Sequence, residues 1–159
     1  MVKVLFVCLG NICRSPLAEG IFKQQVSENS LDDKIIVESA GTSGWHVGER
    51  PDPRSIEVAN LNGIDLDSYG RKANRNDFEE FDYIIAMDRN NYEDLKNLPG
   101  SSKNGAAKLY LMRDFDELGK GQDVPDPYYG GEDGFTLMFE LIDRSCRNLL
   151  EEIKETHQL

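Results

Sequence analysis

A chain of 159 residues can bury one hydrophobic core and is short of what two domains ordinarily need. Its formal net charge of −11 excludes the basic surface that nucleic-acid or anionic-membrane binding rewards, and it repels anions at long range, so any anion site must work through local donors. Three cysteines without metal-type spacing beside histidine, no apolar run of membrane-span length, and an N-terminus without a cleavage pattern point to a cytoplasmic protein.

In chain order, Val4-Leu5-Phe6-Val7 is a continuous apolar run, the pattern of a strand buried on both faces. Cys8 to Arg14 follows as a short loop, and Ser15-Pro16 reads as a helix start with Ser at the cap. A loop between a strand end and a helix start can converge its backbone N–H groups on one phosphate-like anion. Leu9, Gly10, Asn11, Ile12 and Cys13 would form that cup, with Gly10 and Asn11 tolerating left-handed backbone. Arg14 adds a planar fork that matches two anion oxygens. Cys8 then lies at the floor, where the donors for phosphate also stabilise a thiolate placed for in-line attack on phosphorus. Ser15 can donate to that thiolate.

The first helix continues through Leu17 to Val26, with Leu17, Ile21, Phe22 and Val26 inward, Lys23-Gln24-Gln25 outward, and Glu19 in the first turn complementing the helix dipole. Ile35-Ile36-Val37 is the second strand and Ser39 to Thr42 its terminal loop, which completes a right-handed βαβ unit. Asp52-Pro53 caps a second helix that ends at Asn62-Gly63. Asn76 to Glu79 opens a short helical turn through a capping box. Tyr83 to Met87 is the third strand. Asp88 caps a helix from Arg89 to Leu98, Pro99-Gly100 stops it, and Ser101 to Gly105 is a loop. Lys108 to Met112 is the fourth strand. Arg113 to Gly134 is a long polar loop of the kind that carries function, and a final helix runs from about Phe135 to Thr156 with an apolar stripe. The pattern predicts one α/β domain over residues 1–159, a four-stranded parallel sheet with helices on both faces and its ligand site at the strands' carboxyl ends.

Within the long loop, Asp126 is fixed between Pro125 and Pro127 and reads either as a turn residue or as a proton donor. Trp45, Tyr128 and Tyr129 read either as surface aromatics or as walls of a cleft for a phenyl ring. Cys13 is either a packed thiol or a partner for an oxidised Cys8. His46 and His157 read as solvent-exposed, and Cys146 as a core or surface position of the last helix.

The run Val7-Cys8-Leu9-Gly10-Asn11-Ile12-Cys13-Arg14-Ser15-Pro16-Leu17-Ala18-Glu19 resembles the signature of the low-molecular-weight protein tyrosine phosphatases, and Asp126-Pro127-Tyr128-Tyr129-Gly130 extends the likeness across nearly the whole chain. The resemblance implies hydrolysis of phosphotyrosine and aryl phosphates through a phosphocysteine on Cys8. Arg14 and the loop amides hold the phosphate oxygens. Asp126 acts first as acid and then as base. Trp45, Tyr128, Tyr129 and Ile12 line the mouth, and Ile12 favours phosphotyrosine because relatives acting on phosphoarginine carry Thr there. Cys13 would trap an oxidised Cys8 reversibly. The implied partners are phosphotyrosine proteins, with inorganic phosphate as product, no cofactor or metal, no nucleic acid or membrane, and a monomer as the working state. One departure concerns Asn11: the segment that usually supplies a His to brace it reads Ser68-Tyr69-Gly70-Arg71 here, so Ser68 or a water is expected in its place. The rival readings are an arginine phosphatase, an arsenate reductase on the same fold, and a non-catalytic phosphotyrosine-binding module.

Overall fold

Apolar residues fill both sides of the first strand, β1 (Val2–Cys8). Val4 and Phe6 belong to one buried layer, Leu5 and Val7 to another, as strand alternation requires. In this computed structural model, residues 1–99, 107–129 and 131–159 are described, the side chains of 129, 131 and 132 excepted. Beside β1 lie β2 (Ile35–Gly41), β3 (Tyr83–Ala86) and β4 (Lys108–Leu111), in the order β2-β1-β3-β4 with every pair parallel. Parallel pairing needs helical crossovers. They are α1 (Arg14–Glu28), α2 (Pro53–Leu61), α3 (Asp77–Glu80) and α4 (Arg89–Lys96), and α5 (Gly131–His157) closes the chain.

α1, α2 and α5 bury their apolar faces in the layer that holds Val4 and Phe6. Phe78 of α3 and Leu95 of α4 cover the other layer. The expected sheet with helices on both faces is therefore formed, with the carboxyl end of central β1 opening into the loop that carries Cys8 to Arg14. The stripe on α5 is core as its spacing predicts: Phe135, Met138, Leu141, Ile142, Leu149, Leu150 and Ile153 are buried, and Phe139, read into the same stripe, is only partly buried against them.

Several local readings are corrected. β2 extends through Gly41, because Cys8 pairs with Gly41 and keeps the ladder going past Ser39. Gln25 is buried, its Nε2 donating to the Asp143 backbone carbonyl at 3.2 Å and carboxylate at 3.1 Å, which ties α1 to α5. Glu19 lies beyond the first turn of α1, buried, so it is no dipole partner. Asn76 makes no side-chain cap. Instead the Asp77 carboxylate accepts Asn74 N at 2.8 Å and the Arg71 guanidinium at 3.1 Å. His157 is exposed as expected, its Nε2 meeting the Tyr83 hydroxyl at 3.1 Å, whereas His46 is half-buried with its Nδ1 on Glu49 at 2.6 Å. The loop expected at Ser101 to Gly105 lies outside the described residues.

The stretch after β4 is not structureless. It holds 3-10 turns at Met112–Phe115 and Pro127–Tyr129, and α5 begins four residues before the expected start. The buried Asp116 organises it. Its carboxylate accepts Arg144 Nε at 2.8 Å, Arg113 Nε at 2.9 Å and Leu118 N at 3.0 Å. Arg113 in turn reaches the Asp123 carbonyl at 3.2 Å, and its guanidinium packs over Gly119, where a Cβ would displace it.

The Arg144 guanidinium, with Leu118 N and Arg113 behind it, holds the Asp116 carboxyl well below the usual carboxylate range. Replacing Asp116 by Asn leaves two arginines facing a neutral amide, at an expected cost of about 3–5 kcal/mol. A depressed carboxyl stabilises the fold above its ordinary value, about 4, and loses that contribution as pH falls toward the folded value. Urea unfolding will therefore show a deficit for Asp116→Asn that is full at neutral pH and shrinks in acid.

Candidate active site

The Cys8–Arg14 loop is shaped by where its carbonyls go. Cys8 O accepts Thr42 N and Leu9 O accepts Ser43 N, both at 2.9 Å. Ile12 O accepts Asp52 N at 2.7 Å, and Cys13 O accepts the Ser55 hydroxyl at 3.4 Å. In a trans peptide the N–H points opposite the C=O. Carbonyls tied outward, to the end of β2 and the start of α2, turn the following N–H groups of Leu9, Gly10, Cys13 and Arg14 toward the loop's interior. Gly41 makes room, since a Cβ there would lie 2.9 Å from Leu9 O.

Asn11 has φ 57°, the left-handed region, whereas Gly10 keeps ordinary φ and instead lets His46 approach to 3.0 Å of where its Cβ would be. The buried Asn11 amide offsets its backbone cost with three partners. Nδ2 donates to Ser15 Oγ at 2.8 Å and Ser39 Oγ at 3.0 Å, and Oδ1 accepts Arg71 N at 3.0 Å. Ser68 is not among them; Ser39 takes the expected place. Ser15 is not the helix cap either. Cys13 occupies that position, and the Ser15 hydroxyl lies 3.0 Å from Cys8 Sγ.

Arg14 enters the site from the first residue of α1, almost fully buried. Its Nη1 donates to Asp88 Oδ2 at 2.7 Å and to Val124 O at 2.9 Å. Its Nη2 lies 3.9 Å from Asp126 Oδ2. Burial works against the charge, but Cys8 and Asp88 outweigh it, so the guanidinium is held cationic above its ordinary value. Asp88 also caps α4, accepting Asn91 N at 2.7 Å. Asp126 is partly exposed and accepts Tyr128 N at 3.0 Å, which closes its own turn.

These groups line one cleft of about 240 Å³: Cys8, Leu9, Gly10, Ile12, Cys13 and Arg14 below, Trp45, His46, Asp126 and Tyr128 around it. Trp45 is 75% exposed and Tyr128 61%, so both rings stand at the mouth. Arg54 lies over the Tyr128 ring at 5.4 Å and the Phe135 ring at 4.7 Å. The Tyr129 side chain lies outside the described residues. Burial, with Asp52 and Cys8 nearby, pushes Cys13 up to about 12, and burial pushes Cys146 well up in the core of α5.

The structure thus brings Cys8, Arg14, Ser15, Asp126, Ile12, Trp45 and Tyr128 together from three distant stretches. Sequence reasoning missed His46 in the wall, Ser39 beside Asn11, and Asp88 and Val124 as the anchors of Arg14. Asp88 carried a signal, a carboxylate at a strand's carboxyl end. The Val124 anchor is a backbone carbonyl and carries none.

A family model described as low molecular weight phosphotyrosine protein phosphatase matches residues 3–159. A low molecular weight phosphotyrosine protein phosphatase of Schizosaccharomyces pombe is 45% identical over 96% of this chain and 97% of that one. A crystal structure of a protein tyrosine phosphatase from Entamoeba histolytica, with Hepes in its active site, superposes with a TM-score of 0.91 at 41% identity, covering 99% of both chains. A structure of a Drosophila arginine phosphatase matches with a TM-score of 0.88 at 35% identity, over 96% of this chain and 98% of that one.

Thiols held protonated are poor nucleophiles. Cys13 and Cys146 will resist iodoacetate near neutral pH, and carboxymethylation followed by peptide mass mapping will find one label, on Cys8. Cys13→Ser will keep that label and Cys8→Ser will lose it.

Proposed function

The chain belongs to the low-molecular-weight phosphotyrosine protein phosphatases, and on that footing we propose that residues 1–159 form one catalytic domain that hydrolyses phosphotyrosine in proteins through a phosphocysteine on Cys8. The observation that carries this is the meeting of Cys8, the Arg14 fork and the Asp126 carboxylate in one cleft. Cys8 Sγ attacks phosphorus, the P–S bond forms and the P–O bond to the tyrosyl oxygen breaks. Asp126 gives its proton to that oxygen. The loop amides and Arg14 Nη2 hold the equatorial oxygens, whose charge grows as the bonds exchange. Asp126, now a carboxylate, takes a proton from a water that attacks phosphorus. The P–S bond breaks, phosphate leaves, and Cys8 departs as a thiolate toward the Ser15 hydroxyl.

Trp45 and Tyr128 flank the entry, so a flat ring can slide between them while a short phosphoserine stops short of sulfur. A Cys8 sulfenic acid is captured by Cys13, which lines the same cleft, as a disulfide with loss of water, a form that an external thiol can later reduce. The high value of Cys13 slows that capture, because the attacking sulfur must first ionise. The enzyme works as a cytoplasmic monomer without cofactor.

The likeness to an arginine phosphatase keeps phosphoarginine as the second reading. Ile12, which lines the cleft, favours phosphotyrosine. An arsenate reductase needs a mobile second thiol, and Cys146 is fully buried inside α5.

Turnover of a phosphotyrosine peptide will vanish in Cys8→Ser while phosphate still binds, and the wild type will prefer phosphotyrosine over phosphoarginine. Asp126→Ala will lose roughly 10²–10⁴-fold in rate on phosphotyrosine, whose leaving group needs a proton, and far less on activated aryl phosphates. Equal losses on both substrates would remove Asp126 from the role of proton donor.

A further inference from the structure

Glu19 is a buried carboxylate that none of these steps employs. Its two oxygens face different ways. Oε2 accepts Lys23 Nζ at 2.6 Å, and Lys23 is half exposed. Oε1 accepts the Ser39 hydroxyl at 2.5 Å. From Ser39 a run of side-chain hydrogen bonds leads to the nucleophile. Asn11 Nδ2 lies 3.0 Å from Ser39 Oγ and 2.8 Å from Ser15 Oγ, and Ser15 Oγ lies 3.0 Å from Cys8 Sγ.

The direction of this run is set from its far end. A carboxylate only accepts, so Ser39 spends its single hydrogen on Glu19 and offers lone pairs to Asn11. The Asn11 amide gives one hydrogen to Ser39 and the other to Ser15, and its oxygen takes Arg71 N at 3.0 Å, which fixes the amide's orientation. Ser15, accepting from Asn11, keeps its own hydrogen for Cys8. The competing acceptor, Ala40 O, is farther away at 3.3 Å.

We propose that Glu19 is a positioning residue for catalysis: through Ser39 and Asn11 it aims the Ser15 hydroxyl at the Cys8 sulfur. The inference rests on the reading of Cys8 as nucleophile and extends it by the side chains of Glu19, Ser39 and Asn11. Its effect falls on the second step, where sulfur leaves phosphorus and gains negative charge that a hydrogen already in place stabilises. The Lys23 ammonium meets only Oε2, on the side away from Ser39, and takes no part in the run. Without Glu19 the Ser39 hydrogen has no fixed acceptor and Asn11 loses a committed partner. Ser15 then divides its hydrogen between sulfur and Ala40 O.

The test is pre-steady-state and steady-state turnover of p-nitrophenyl phosphate by the full chain carrying Glu19→Ala, Glu19→Gln, Lys23→Ala or Cys8→Ser. Loss of one hydrogen bond to a charged group predicts a kcat roughly tenfold lower for Glu19→Ala, and the early burst of p-nitrophenol will grow relative to steady turnover because thiolate departure slows. A residue that only stabilises the fold would lower the melting temperature without changing the burst. Glu19→Gln keeps an acceptor for Ser39 and recovers most of the rate. Lys23→Ala leaves the run of bonds intact and turns over like wild type. Should Glu19→Ala fail to fold, Ser39→Ala breaks the same link and gives the same enlarged burst. A wild-type burst and kcat in Glu19→Ala, or in Ser39→Ala where that variant stands in, overturns the proposal, as does Glu19→Gln being no better than Glu19→Ala. Activity surviving in Cys8→Ser would instead overturn the nucleophile reading, a separate result.

Discussion

A backbone amide has two ends, and the Cys8–Arg14 loop can hold an anion only because its carbonyl ends are occupied elsewhere. The end of β2 takes Cys8 O and Leu9 O, and the start of α2 takes Ile12 O and Cys13 O. That division is what lets a chain with a net charge of −11 build a site for a doubly negative group. The protein's long-range field repels such a ligand, so attraction has to come from oriented amides at close range and from one buried guanidinium. Asn11, the residue of this loop in left-handed backbone, costs on the order of 1–2 kcal/mol. Its three side-chain hydrogen bonds offset that cost and tie the loop to Ser15, Ser39 and Arg71.

Arg14 shows how the rest of the fold reaches the site. Its Nη1 is held by Asp88, just past β3, and by the carbonyl of Val124. The peptide before that carbonyl is clamped at both ends, the Asp123 C=O by Arg113 and the Val124 N–H by Met87 O at 2.8 Å. Asp126 follows two residues later. The strut that aims the Arg14 fork therefore also carries Asp126, the proton donor proposed above, and the buried Asp116 between Arg113 and Arg144 is its foundation. Proximity of the two groups is built into one short stretch of chain rather than assembled from independent loops.

The sheet and the helices on its two faces were readable from apolar runs and caps: Val4 to Val7, Tyr83 to Ala86, Asp52-Pro53 and Asp88 all behave as their residue types suggest. The Cys8–Arg14 loop was readable because a short strand-to-helix turn confines every member to neighbouring sequence positions. What escaped reading depends on contacts between distant residues. Ser15 looks like a cap, but sulfur is the better-placed partner in three dimensions. Gln25 looks like surface until α5 packs over it. The stretch around Asp116 looks unstructured because its order comes from Arg144, 28 positions away. His46 looks solvated because nothing nearby in sequence announces the cleft it borders. Ser39 looks like a strand-end serine, and only the fold sets it against Asn11.

The proposed mechanism turns on phosphorus passing through Cys8 sulfur. Asp126→Ala, mixed with an activated aryl phosphate and quenched within the first turnover, tests it by phosphorus NMR and peptide mass spectrometry. A thiophosphate-type resonance and one phosphate mass increment will appear on the peptide that contains Cys8 and be absent in Cys8→Ser. Single-turnover release of phosphate with no phosphorylated cysteine at any quench time would contradict it.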